Sequence, residues 1–249
     1  MPASTRTLLA ALALTLAAAA ATFAPQARAS EFSVTPTRIE LRPGVMSDTI
    51  TVVNHAQSTL RVAVRLVEWT QDAQGNDVYA DTTDLVYFPR QMEVGPDARR
   101  VVRVGARAPA AGSEKTYRVF IEEQPDALPP GARNQIAVAF RFGVPVFLAP
   151  AGAKPQAEVS EPSLAAGRLS LLVKNSGNQH LRVNTIRVSD GAGYTQEVQG
   201  WYALAGAQRT FSIELPRDAC RKAKTLQVTL EGSGIQAGKS IDVDPARCG

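Results

Sequence analysis

The sequence predicts an all-β protein made of two immunoglobulin-like sandwiches behind a cleaved leader. Three observations carry that reading. Hydrophobic residues alternate with a period of two almost everywhere after residue 30. Gly, Pro, Asn and Asp punctuate the alternation at short intervals. A Pro/Gly/Ala stretch at 149–155 divides the strands into two sets, the first with seven strands, the number in one such sandwich.

The leader comes first. Arg6 is followed by an apolar run over residues 8–21, and Ala27-Arg28-Ala29 forms a small-residue cleavage site. Residues 1–29 therefore read as a signal peptide, with Ser30 as the first mature residue. A membrane anchor fits less well, because this run of 14 residues falls short of the ~20 that span a bilayer. The first domain, 30–150, is expected to hold strands at 33–42, 48–54, 60–70, 85–88, 99–104, 116–122 and 135–148. The second, 151–249, is expected to hold strands at 169–175, 181–189, 195–198, 210–215, 225–231 and 239–243. No window offers a helical stripe over eleven residues, and no internal sequence repeat stands out. Prolines in the 149–155 linker suggest a restricted angle between the domains, with a cleft between them.

Composition excludes several function classes. Without Arg6 and Arg28 the chain carries 25 basic and 23 acidic residues, net +2, which argues against nucleic acid and gives no pull toward a membrane surface. Two cysteines exclude a four-thiolate zinc site and two histidines leave little for a histidine-based cluster, so no metal and no cofactor are expected. Motifs of nucleophilic, phosphate-binding and zinc-dependent enzymes are absent. Glu122 and Glu123 are adjacent on a strand and point to opposite faces. His55 and His180 follow turn residues and read as loop histidines. The chain is read as a non-enzyme. Export favours a Cys220–Cys248 disulfide over two free thiols, tying the C-terminus to its domain.

The segment 135–148 does not fit its domain. Ile136, Val138, Phe140, Phe142, Val144, Val146 and Leu148 put a large apolar side chain at every even position. A strand of that length spans ~43 Å, against ~17–20 Å for an ordinary strand. About half should overhang the core, leaving Ile136, Val138 and Phe140 with no internal partner and free to add a strand to another protein's sheet. The competing reading is an internal strand covered by a loop or by the second domain.

Four segments, in this order behind a leader, resemble the periplasmic chaperones of chaperone–usher pilus assembly: FSVTPTRIEL at 32–41, VGPDARRVVRV at 94–104, TYRVFIEEQP at 116–125 and VPVFLAP at 144–150. The resemblance covers essentially the whole mature chain. It implies a boomerang of two immunoglobulin-like domains in the periplasm, serving pilus biogenesis and cell wall organisation. Such a protein binds pilus subunits by donor-strand complementation and hands them to an outer-membrane usher. Ile136, Val138, Phe140 and Phe142 match the donor residues, and the same edge is open to self-association when unliganded. No membrane insertion is implied.

The family also grips the subunit's C-terminal carboxylate with two basic side chains. Arg38, which has no obvious partner in the sequence, matches the first. The second is usually a lysine where this chain has Pro145, a departure that resembles the archaic branch. Arg118 is the first candidate to replace it and Arg141 the second. The alternative function is a structural or adhesive immunoglobulin-like surface protein or a pilus subunit. Seven strands and almost no extension between Ser30 and the first strand count against it.

Overall fold

In the computed structural model, residues 32–125 and 138–249 are described. The leader, Ser30, Ile136 and the segment 126–133 lie outside the described residues.

The first half folds as two facing sheets. Its strands are β1 (Phe32–Thr35), β2 (Ile39–Leu41), β3 (Ser47–Asn54), β4 (Leu60–Gln71), β5 (Asp77–Ala80), β6 (Leu85–Phe88), β7 (Gln91–Val94), β8 (Arg99–Ala106), β9 (Lys115–Glu123) and β10 (Arg141–Leu148). One sheet runs β1-β3-β8-β6; the other runs β2-β10-β9-β4-β5, with β7 also on β4. Alternate residues of both sheets, among them Ile50, Val52, Val102, Tyr117, Val119 and Val146, close the core between them. Each such side chain contributes roughly 1.5–3 kcal/mol by leaving water.

The second half repeats the plan. It contains β11 (Ala157–Val159), β12 (Ser163–Ala165), β13 (Arg168–Asn175), β14 (Leu181–Ser189), β15 (Thr195–Gln199), β16 (Tyr202–Ala203), β17 (Gln208–Glu214), β18 (Thr225–Ser233) and β19 (Ile235–Asp242). In one sheet β11, β12 and β17 pair with β13; the other runs β15-β14-β18-β19 with β16 on β14. A separate core of Leu169, Leu171, Val183, Ile186, Val188 and Leu226, among others, fills the space between. A six-residue helix, α1 (Arg217–Lys222), buries Cys220, which bonds Cys248 in a 3-10 turn at Pro245–Cys248.

Several expectations are corrected. The strand expected over 33–42 is two strands in different sheets. Pro36 has no N–H to continue the ladder, so the chain leaves β1 and crosses to β2. Strands β5, β7, β11, β12 and β16 were absent from the expected set; each has four residues or fewer, and β6, equally short, stands out in the sequence because Leu85–Phe88 is apolar and aromatic throughout. Among the described residues the last strand of the first half starts at Arg141 rather than residue 135, although Glu123 N still donates to Phe140 O at 2.9 Å.

An internal repeat exists after all. Asn54 and Asn175 each end a strand, and each stands six residues before a Leu-Arg-Val. Both are buried and make the same bonds. Oδ1 accepts from the backbone N–H two residues on, Ala56 or Gly177, at 3.0 Å. Nδ2 donates to the carbonyl four residues on and to two more from a distant strand end: Val94 and Gly95 for Asn54, Ala203 and Leu204 for Asn175. One asparagine thus fixes the same corner in each sandwich, because an amide supplies donor and acceptor where both are buried.

Candidate functional site: an open strand edge and a buried arginine

One face of β10 runs out of its own core. Val144, Val146 and Leu148 point between the sheets, and Val144 is 3% exposed. Phe142, two residues earlier, packs edge-to-face on Phe32 at 5.0 Å. Phe140 is 38% exposed and Val138 62%. The four residues keep the two-residue spacing of one strand face, with Phe142 and Val144 inside β10 and Val138 and Phe140 in the segment leading into it. Ile136 lies outside the described residues.

The same strand has an open side. Against β9, β10 is paired from Arg141 to Leu148. Against β2 it is paired only from Val146 to Leu148, in parallel. From Arg141 to Pro145 the side away from β9 has no strand neighbour among the described residues. An exposed apolar face joined to an unpaired backbone edge is a surface for another strand.

That slot ends at three residues in a row. Pro145 pairs with Arg118 on β9. Arg38 precedes Ile39, the partner of Val146, and so comes level with Pro145 on its other side. Neighbouring strands are ~4.8 Å apart, which puts the two arginine backbones ~10 Å apart, within reach of converging side chains. Ile39, Val146 and Tyr117, one position along, face the core. Arg38, Pro145 and Arg118 therefore face outward.

The two arginines differ. Arg38 is half-exposed and its Nε pairs with Glu40 Oε1 at 2.9 Å, which corrects the expectation of an arginine without a partner. On an extended strand residues i and i+2 share a face, so Glu40 was within reach; such a surface pair is worth ~0–1 kcal/mol. Arg118 is only 8% exposed. Its Cζ stands 4.1 Å over the Trp69 ring, 5.5 Å from Trp201 and 5.9 Å from Tyr79. Its Nε and Nη2 are buried with no hydrogen-bond partner among the described residues. Burying a charge without an acceptor costs several kcal/mol, and cation–π contacts return ~0.5–2 each. The guanidinium is thus electrostatically incomplete, and a carboxylate is the group it matches best. Burial pushes the Tyr79 phenol above its ordinary value, against the opposing pull of Arg118.

Arg141, the other candidate, is exposed. It faces Glu122 at 3.7 Å and lies over the Phe120 ring at 4.8 Å, four residues along β10 from Pro145.

The second sandwich completes the surroundings. Trp201 donates from Nε1 to Asp77 Oδ2 at 3.0 Å. Gln71 clasps the backbone of the other half, donating to Tyr202 O at 3.0 Å and accepting from Leu204 N at 3.0 Å. Trp69, Phe147, Tyr202 and Leu204 form a third apolar cluster shared by both halves. His180 is buried beside it, stacked on Phe147 at 3.6 Å, and its Nδ1 lies 2.8 Å from Glu114 Oε2. It lies in the loop before β14, as its neighbours suggested, and it is also a packed contact between the halves. Trp69, Tyr79 and Trp201 were missed in the sequence. Trp69 and Tyr79 sit opposite each other on β4 and β5, a pairing visible only once β5 is known.

Comparison with known proteins agrees with this architecture. Residues 31–154 match the family described as pili and flagellar-assembly chaperone, PapD N-terminal domain. No curated protein matches the sequence. Among solved structures, the chain is similar to the CsuC–CsuE chaperone–tip adhesion subunit pre-assembly complex from archaic chaperone–usher Csu pili of Acinetobacter baumannii. The TM-score is 0.62 at 17% identity, covering 85% of this chain and 98% of that one. It is also similar to the Salmonella enterica SafA pilin–SafB chaperone complex, with TM-score 0.57, 13% identity and coverage of 87% and 98%. The E. coli chaperone DraB gives TM-score 0.52 and 15% identity over 87% and 100%.

Proposed function

We propose that this chain, whose residues 31–154 match the N-terminal domain of the pili and flagellar-assembly chaperones, is a periplasmic, non-enzymatic chaperone of the archaic chaperone–usher branch. In this reading residues 1–29 are removed on export, 30–150 form the subunit-binding domain and 151–249 the second domain. The chaperone lends the open edge of β10, with Ile136, Val138, Phe140 and Phe142, to a pilus subunit that lacks a strand. It then delivers the subunit to an outer-membrane usher.

The observation that carries the reading is the exposure gradient along alternate residues of β10 and the segment leading into it, from Val144 at 3% to Val138 at 62%, beside an unpaired backbone edge. A subunit strand laid in that slot parallel to β10 runs toward β2 and ends, carboxyl group first, against Arg38 and Pro145. Arg118 is the second anchor, since its guanidinium lacks an acceptor. Arg141 is the weaker candidate, being exposed and facing Glu122. The similarity to chaperone–subunit complexes supports the same assignment.

The test is purification of the mature protein from periplasm of pilus-expressing cells. A co-eluting subunit is expected, and it should be lost from the Arg38→Ala protein. A chain that elutes alone, or wild-type subunit recovery from Arg38→Ala, would overturn the function or the anchor respectively.

A further inference from the structure

Arg118 sits in a cage that lacks an anion among the described residues, and two of its three guanidinium nitrogens, Nε and Nη2, are shut inside it. Trp69 is its fully buried floor. On one side Gly143 leaves the necessary room: a Cβ there would stand 3.2 Å from both Arg118 Cδ and Phe120 Cε1. Tyr79 and Trp201 cover the outer side. Because Nε and Nη2 are buried, a carboxylate reaches them only after one wall moves. Trp69 is locked in the shared cluster, and Tyr79 and Phe120 brace each other edge-to-face at 5.5 Å.

Trp201 is held differently. It comes from the second sandwich, is 36% exposed, and its indole is fastened to the cage through an exposed bond to Asp77. Its backbone cannot swing. Val183 N donates to Trp201 O at 3.0 Å, Gly200 N donates to Asn184 O at 3.0 Å, and a Cβ on Gly200 would meet Val183 O at 2.4 Å. With the backbone pinned on either side, side-chain torsion, against the flanking Tyr202 ring and Arg209, is the motion by which the indole would move.

We infer that Trp201 gates Arg118: latched to Asp77, the indole covers the guanidinium in the free chaperone and swings aside when a C-terminal carboxylate arrives. The inference rests on the carboxylate reading above and makes the second sandwich part of the subunit-binding site. It also sets a selectivity, since a terminus too weakly held by the β10 edge to displace the indole is refused.

The test uses the full mature chain and a synthetic ten-residue peptide of alternating Val and Thr, with a free or an amidated carboxyl end. The chain has two tryptophans, so two indole N–H resonances report separately on floor and gate, assigned with Trp201→Phe. The free acid should bind more tightly than the amide and shift the Trp201 resonance, with loss of its protection from hydrogen exchange. Trp201→Ala should bind the free acid roughly 2- to 12-fold faster, the Boltzmann factor of one ordinary hydrogen bond. Trp201→Phe, which keeps a ring but no latch, should also bind faster and decides the matter if the alanine variant does not fold. Preference for the free acid with an unmoved Trp201 resonance, or with no faster binding by the variants, overturns the gate and leaves the carboxylate site standing. No preference between acid and amide overturns both.

Discussion

Replacing Val138 by Asp separates a strand held in reserve for a partner from a strand of the core. Val138 is 62% exposed, so about two-fifths of the ~1.5–3 kcal/mol from burying such a side chain is present in the free protein. The fold therefore loses ~1 kcal/mol at most, a shift of ~2–4 °C in Tm for a chain of this size. In the complex the remaining area is buried and the new carboxylate is forced into an apolar groove, which adds a further ~2 kcal/mol or more. Binding is expected to fall ~100-fold or more. The assay pairs a melting curve of the isolated variant with subunit capture from periplasm. Val144→Asp, on the same face but 3% exposed, is the control and should unfold the domain. A Val138→Asp protein that melts like the Val144→Asp protein would refute the reasoning, because the outer half of the strand would then be internal.

Three other outcomes are expected. Arg118→Met removes a buried charge with two unsatisfied donors, so Tm should hold or rise while subunit capture is lost; a Tm drop of several degrees would make the guanidinium structural. The double variant Cys220→Ala/Cys248→Ala opens a loop of sequence separation 28 and should lose ~3–4 kcal/mol in denaturant unfolding, with subunit binding by the folded fraction unchanged. The Lys115 ammonium at 2.7 Å and the Tyr117 hydroxyl at 2.9 Å hold the Asp84 carboxyl below its ordinary value of 3.8. A depressed carboxyl stabilises fully above its unfolded value and stops doing so as pH falls through its lower folded value. Asp84→Asn should therefore flatten the stability curve below about pH 4, measured by denaturation across the acid range.

The strongest sequence signals came from long strands. Val62, Val64 and Leu66 on β4, or Leu169, Leu171 and Val173 on β13, alternate with polar or less buried neighbours and find the core as expected. Alternation needs several residues to register, so β5 and β16 passed unseen, and with them Tyr79 and the contacts of Tyr202. The repeat at Asn54 and Asn175 was legible in principle as Asn-x5-Leu-Arg-Val. Its meaning came only from the shared set of amide bonds.

The sequence by itself determined the all-β class, the apolar periodicity of β10 and the two cysteines available to pair. These are properties of period, composition and chain order, which a linear string carries intact. Only the tertiary structure decided that Arg38, Pro145 and Arg118 stand in one row, because that depends on the β2–β10 and β10–β9 registers across 27 to 107 positions of chain. It alone made Arg118 a buried cation without an acceptor, since its walls come from β4, β5 and the far sandwich. An arginine looks the same in every sequence; whether it is a solvated surface charge or an unfinished ion pair is set by which side chains exclude water from it.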